Sequence, residues 1–315
     1  MMKGRMRLTF RTLLCVCVSA LVSAVVSGLA PARARGQGAR SMEEQITVNG
    51  RIRSYLIDLP ANVTARRRVP LVMNFHGGGG SPQSARTQSG FSPVANAAGA
   101  ILVYPAGSGR LSSDRLLTWN TGTCCGYAQR ENIDEAAFIR AMLDTLERQF
   151  PIDTNRVFAT GLSNGGMMSY LVACRLSDRI AAIGVVSGEL TIPCTPKRPV
   201  SVLIIHGTAD ENLPFNGGVG AKALDRHDVR PVSFAVDTWR SLDHCPSPPV
   251  STKNGKVTRN LSSGCANNTV VDFYTIDGGG HSWPGGQRML RLLDAPSAAM
   301  NATQVVWDFF AAHGR

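Results

Sequence analysis

The chain has 315 residues, of which 43% are hydrophobic, 17% charged and only 6% aromatic, with 32 glycines. That balance fits one compact globular domain or two small ones, and excludes a disordered, collagenous or coiled-coil protein. The formal charge of +11 falls to +6 once residues 1–34, with five basic and no acidic residues, are set aside; what remains is scattered apart from Arg66-Arg67-Arg68 and lacks interleaved aromatics, so nucleic acid is not an expected partner.

Residues 1–34 read as an export signal. Lys3, Arg5, Arg7 and Arg11 make a basic start, Leu13 to Leu29 is an uncharged, mostly apolar run, and Ala32-Arg33-Ala34 offers small residues at the spacing of a cleavage site. An uncleaved anchor is the rival reading, since the run sits near the lower length limit for crossing a bilayer. The small-residue site favours cleavage, and with it a secreted or periplasmic protein without stable membrane association. Cys15 and Cys17 follow Leu14 and Val16 rather than a small residue, which speaks against a lipoprotein. Residues 35–315 are expected to form a single domain.

Next comes Gln45 to Val48, Asn49-Gly50, then Arg51 to Ile57. Asn-Gly between two alternating runs predicts a hairpin. Val69 to Phe75 and Ala100 to Tyr104 are short, continuous apolar runs, the first ending at His76-Gly77-Gly78-Gly79-Gly80 and the second at Pro105. Such runs suit strands buried on both faces of a parallel sheet. Between Glu131 and Phe150 the period changes, with Phe138, Ile139, Met142, Leu143 and Leu146 on one helical stripe.

Arg156 to Thr160 then reads as a strand, Asn164 to Leu176 as a helix, Ile180 to Val186 and Val200 to Ile205 as strands, Val232 to Leu242 as a helix and Val270 to Ile276 as a strand. A last helix opens at Asn301, with Gln304 at capping-box spacing. A hairpin followed by repeated βα units predicts a mostly parallel sheet of about eight strands, covered by helices on both faces. No repeat or low-complexity linker interrupts it.

Six cysteines follow the signal, an even number that suits disulfides in an oxidising compartment. Spacing favours Cys174 with Cys194 and Cys245 with Cys265; the adjacent Cys124 and Cys125 can bond to each other or stay partly free. No CxxC pair exists and the histidines are dispersed, so no metal is expected.

The most informative segment is Gly161-Leu162-Ser163-Asn164-Gly165-Gly166. Gly-x-Ser-x-Gly alone is weak, but here it follows a predicted strand and opens a predicted helix, where a sharp turn lifts the serine hydroxyl clear of the sheet. A serine nucleophile needs a histidine to take its proton and a carboxylate to orient that histidine. In the order serine, acid, histidine, Asp210 follows the strand ending at Ile205 and His281 follows the strand ending at Ile276.

Glu211 is an alternative acid. His206 is expected to hydrogen-bond within its loop, Asp225, His227, Asp228 and His244 to be solvated, and His313 to be uninvolved. The backbone N–H groups of Asn164 and of Gly78, in the glycine run, are the expected oxyanion donors. A phosphate loop is the competing reading of that run, and no Lys-Ser or Lys-Thr supports it.

Together, His76-Gly77-Gly78-Gly79, Trp119-Asn120 with Cys124-Cys125-Gly126, Gly161 to Met168, His206-Gly207-Thr208-Ala209-Asp210 and Gly279-Gly280-His281-Ser282-Trp283-Pro284-Gly285-Gly286 resemble secreted esterases of the polyhydroxybutyrate depolymerase and feruloyl esterase group, which is similar to carbohydrate esterase family one. The likeness runs from about Gln45 to Phe310. It implies an α/β-hydrolase fold with neither metal nor organic cofactor, Ser163 as nucleophile, Asp210 as orienting acid, His281 as base, and Trp283 on the acyl or alcohol pocket. Trp119 and Tyr127 are weaker pocket candidates. Asn132-Ile133-Asp134-Glu135 departs from the more acidic run that members often carry, which bears on the subgroup and leaves the triad intact.

Only 47 positions separate Ser163 from Asp210, leaving no room there for a large lid. The chain stops just after its last helix, so soluble oligoesters, or phenolic and acetyl esters of plant polysaccharide, are expected substrates rather than crystalline polyester. Acyl transfer to a sugar and a non-catalytic binding protein on the same fold are the alternatives. Oligomeric state is not encoded in these motifs.

Overall fold

The computed structural model describes residues 40–61, 63–64, 67–111, 115–223, 226–246, 248–289 and 293–315. The expected signal at 1–34, Arg66 and Asp225 lie outside them.

Asn49 and Gly50 both take left-handed backbone, φ 50° and 74°, and so turn β1 (Arg40–Val48) into β2 (Arg51–Leu59) as an antiparallel hairpin. The apolar runs become β3 (Val69–Phe75) and β4 (Ile101–Pro105), every residue of both buried. Between them lie two short helices that are not among the expected elements, α1 (Pro82–Ser89) and α2 (Phe91–Ala97). A reciprocal Ser81–Ser84 capping box starts the first, and Gly90, at φ 59°, breaks the pair apart.

A five-residue helix, α3 (Gly126–Arg130), precedes α4 (Glu135–Gln149). The latter opens four residues later than the stripe suggests, because Asn132 is left-handed and the Asp134 side chain caps the Ala137 N–H at 2.9 Å. Then follow β5 (Ile152–Leu162), α5 (Asn164–Arg175), β6 (Ala182–Val186) and β7 (Ser201–Gly207). Beyond these come the two-residue β8 (Gly218–Val219) and β9 (Asp228–Val229), α6 (Val232–Leu242), β10 (Val250–Asn254), β11 (Val257–Ser262), β12 (Val271–Ile276) and α7 (Ala302–Ala312). Asn301 caps α7 through the Gln304 N–H at 3.1 Å, but the Gln304 side chain reaches forward to Asp308, so the expected box is one-sided.

The main sheet has ten strands in the order β1-β2-β4-β3-β5-β6-β7-β12-β11-β10. The six from β4 to β12 run parallel, and an antiparallel pair flanks each side. The two strands beyond the expected eight are the hairpin β10–β11, whose mostly polar residues, exposed on β10 and half-buried on β11, carry little apolar periodicity. One core layer sits under α4, α5 and α6, with Phe138, Met142, Tyr170 and Trp239 fully buried. The other sits under α1, α2 and α7, with Phe91, Phe158 and Phe310. This is the α/β-hydrolase architecture. Because β3, β5, β6, β7 and β12 are adjacent and parallel, the loops after them open on one edge of the sheet, where such folds bind ligands.

Disulfides join Cys174 to Cys194 and Cys245 to Cys265, the two local pairings that spacing favours, and Cys124 to Cys125.

Candidate active site

Ser163 stands between β5 and α5 at φ 59° and ψ −125°, a conformation that L-residues rarely adopt. The turn holds because its neighbours are glycines: a Cβ on Gly161 would meet the Gly165 backbone at 2.5 Å, and one on Gly165 would run into the Phe75 carbonyl and lie 2.7 Å from that of His76. The Ser163 N–H donates to Val186 O at 3.0 Å, and its hydroxyl makes no cap bond to the helix it precedes. The side chain is left half-buried at the edge of a cleft of about 550 Å³.

The glycine run after β3 passes against this turn. Cβ atoms placed on Gly77 and Gly78 would lie 3.6 Å from Ser163 Cβ and 3.7 Å from Asn164 Cβ. The Gly79 N–H goes to Leu117 O and the Gly80 N–H to Gly77 O, while the Gly78 N–H meets no acceptor among the described residues. Neither does the Asn164 N–H, first of α5, so two unspent donors lie side by side at a helix N-terminus, where the dipole favours negative charge.

His76 braces the run from below. Its Nδ1 donates to Gly77 O at 2.8 Å and its Nε2 accepts from the Gly107 N–H at 2.9 Å, which fixes one neutral tautomer. Burial lowers its pKa to about 4, against the opposing Gly77 bond. The Asn164 side chain is buried and grips the Trp119 backbone twice, accepting from N–H at 2.8 Å and donating to C=O at 3.2 Å.

Asp210 follows β7 by three residues. Its Oδ1 accepts from the Asn212 and Leu213 N–H groups at 2.9 and 2.8 Å, and its Oδ2 accepts from His281 Nδ1 at 2.8 Å. Burial works to raise this carboxyl, but the charge and bond of His281, with His206 and the Leu213 N–H, outweigh it and hold the pKa below the ordinary carboxylate range. His206, 3.4 Å from Asp210 Oδ2, donates from the same Nε2 to Leu213 O at 2.9 Å, as a loop histidine should. Burial lowers its pKa. Glu211 is exposed and paired with Lys222.

The His281 loop is latched from behind by its own N–H, which donates to Asp294 Oδ2 at 2.8 Å. The acid and histidine loops touch backbone to backbone, since a Cβ on Gly207 would strike Gly279. Ser163 and His281 line the same cleft, without a hydrogen bond between them.

Gly78, Asn164, Ser163 and His281 thus share one cavity with Asp210 directly behind the imidazole, and three expectations about its walls need correction. Trp283 is 1% exposed and turned into the layer under α7, where its indole N–H donates to Thr303 Oγ1 at 2.9 Å. Trp119 is fully buried on His76 and gives its indole N–H to His76 O. Tyr127, on α3, is not among the lining residues.

The walls are instead Cys124, Cys125 and Met167 on one side and Leu213, Ala223 and His227 on another. Met167 carried a signal in hindsight, four residues after the serine on α5 and hence one turn into the helix that faces the cleft. His227 is not a solvated residue. It is half-buried and its Nε2 lies 2.9 Å from Oε2 of the buried Glu189, whose Oε1 accepts the Arg230 N–H at 3.0 Å.

The family model described as Esterase PHB depolymerase matches residues 53–195. Feruloyl esterase D of Neurospora crassa is 31% identical over 275 residues, covering 86% of this chain and 88% of that protein. Feruloyl esterase C of Emericella nidulans is 30% identical over 275 residues, covering 84% and 85%. Among solved structures, an acetyl xylan esterase from Aspergillus awamori superposes with a TM-score of 0.55 at 16% identity, covering 76% of this chain and 94% of that one, a likeness of fold.

Proposed function

The chain belongs to the polyhydroxybutyrate depolymerase and feruloyl esterase family and is a carboxylic ester hydrolase, and from that premise we propose that it cleaves its ester through Ser163, His281 and Asp210. The observation that carries this reading is the 2.8 Å bond from His281 Nδ1 to Asp210, in the cleft that Ser163 enters from a strained turn. With Nδ1–H committed to Asp210, His281 Nε2 keeps its lone pair and can accept the serine proton.

Ser163 Oγ attacks the ester carbonyl, and the proton passes to His281. The tetrahedral oxyanion takes hydrogen bonds from the Gly78 and Asn164 N–H groups, neither of which has another acceptor among the described residues. His281 returns the proton to the leaving alcohol, water enters, and the same steps in reverse order free the acid. The missing Ser163–His281 bond is compatible with this cycle, because such contacts often tighten only when substrate excludes water.

The substrates are proposed to be soluble polyhydroxyalkanoate-type oligoesters or feruloyl and acetyl esters of plant polysaccharide, met after export by residues 1–34. Three disulfides support an oxidising destination. Ser163→Ala tests the reading. It should lower turnover of nitrophenyl acetate, methyl ferulate, acetylated xylan and 3-hydroxybutyrate oligomers by at least about 10³-fold, with the melting temperature within a few degrees of the parent. Retained turnover would discard Ser163 as nucleophile, and the preferred ester among the four names the natural class.

A further inference from the structure

The described residues that line the cleft of Ser163 and His281 include neither aspartate nor glutamate, and a single arginine, Arg130. Arg130 ends α3, is exposed, and has neither a hydrogen bond nor an ion pair among the described residues. The carboxylates next to it in sequence are all engaged elsewhere. Glu131 lies 3.7 Å from Arg51, Asp134 caps the Ala137 N–H, and Glu135 is buried on Arg53. Beside the acid and histidine loops, Glu211 and Asp294 are held by Lys222. Asp210 and Glu189 bond to His281 and His227 and do not line the cavity.

A guanidinium is always charged, only donates, and offers its N–H groups in a planar fork that fits the two oxygens of a carboxylate. Here that fork stands on the wall of the space the ester enters, with no carboxylate of the protein to take it. We propose that Arg130 determines specificity by receiving a free carboxylate carried by the ester, so that the enzyme prefers substrates with a second, unesterified acid group, such as half-esters of dicarboxylic acids or the acid end of a short oligoester. The contact is an ion pair with hydrogen bonds; no covalent bond is made or broken at Arg130. The assignment rests on the reading of this cleft as the active site.

The carboxylate can sit on the acyl or the alcohol half of the ester, and two substrate sets separate these cases. The acyl set is the monomethyl esters of succinic, adipic and suberic acid, and the alcohol set is the acetate and butyrate esters of 4-hydroxybutanoate. Each carboxylate is compared with its primary amide, which has the same shape and no charge. In at least one set the parent enzyme should prefer the carboxylate by about three- to tenfold in kcat/KM, mostly through KM, and the preference should shrink as salt is added. Arg130→Gln should bring the ratio close to one and Arg130→Glu should invert it, while Arg130→Lys, which keeps the charge and loses the fork, should retain part. Arg148→Gln removes the same charge from the exposed end of α4, outside the cleft, and should keep the parental ratio. The proposal is overturned if the parent shows no preference in either set, if the preference survives in Arg130→Gln, or if Arg148→Gln loses it equally. Ser163→Ala, run alongside, separates this failure from failure of the catalytic reading, because it removes turnover of carboxylates and amides alike whether or not Arg130 selects between them.

Discussion

Replacing Asp210 by Asn changes one atom and isolates what the carboxylate does. The amide oxygen can keep the two bonds from the Asn212 and Leu213 N–H groups, at 2.9 and 2.8 Å, so the loop has no reason to move. The NH₂ group then occupies the position of Oδ2 and faces His281 Nδ1, now 2.8 Å from a donor instead of an acceptor. The imidazole must place its proton on Nε2, the nitrogen that should receive the Ser163 proton.

A histidine held in the wrong tautomer costs about 10⁴ in kcat, which is about 5.4 kcal/mol at about 1.36 kcal/mol per decade. The cost in stability is smaller, about 2 kcal/mol for one charge-assisted bond. Its sign follows from the carboxyl being held below its ordinary pKa. The contribution is present above the unfolded carboxylate value and is lost as pH falls through the folded one, so parent and variant should differ in melting temperature at pH 7 and converge in acid. The assay is kcat on methyl ferulate and nitrophenyl acetate at pH 7, with thermal melts from pH 7 down to pH 3. Retention of more than a tenth of the parental kcat would refute the role of Asp210; loss of activity in Glu211→Gln instead would move it to the neighbouring residue, which is exposed on Lys222.

The remaining expectations concern what holds the cleft in shape. Arg53, 2.8 Å from the buried Glu135 and lying over the Phe138 ring, also donates to Ala106 O. Arg53→Met should lower the urea unfolding free energy by about 3–5 kcal/mol at pH 7 by stranding that carboxylate. Burial already raises the Glu135 pKa, so the folded variant takes up a proton more readily than the unfolded chain, and the deficit should shrink as pH is lowered; Arg53→Met/Glu135→Gln should recover more than half of it. In Gly165→Ala the new methyl meets the Phe75 carbonyl, which should cost about 1–3 kcal/mol of stability and, by displacing Ser163 from the glycine run, about 10²-fold in kcat/KM. A variant with parental kinetics would show that the close approach of β3 and α5 is not needed for turnover.

The parts of this molecule that can be read directly from the sequence are those whose direction is fixed by the backbone. Ser163, Asp210 and His281 each come just after a parallel strand, and glycines at 161, 165 and 207 mark where chain segments approach too closely for a side chain. Strand ends and glycines are local signals, and three of them in the right order define a site. Trp283 shows the limit of that logic. It is two residues from His281, yet its ring is buried in the layer under α7 and bonded to Thr303. His227 shows the reverse: no pattern in a polar segment says that a glutamate 38 positions earlier will meet it. The hairpin β10–β11 escaped notice for a related reason, since its strands bury too little to leave an apolar alternation.

Asn164 does two jobs with two ends of one residue, its N–H facing the cleft and its amide clasping both backbone atoms of Trp119. The segment from Trp119 to Gly126, which carries Cys124 and Cys125 into the cleft, is therefore fastened to the residue proposed as an oxyanion donor. Substitutions there that widen or reshape the cleft will shift the donor as well, so their effects on substrate range and on turnover will not add independently, with interaction energies of about 0.5–3 kcal/mol. An enzyme diversifying along this segment faces epistasis from the outset: the order in which mutations arrive decides which are tolerated, and laboratory libraries should vary positions 119–126 jointly with the residues that hold Asn164.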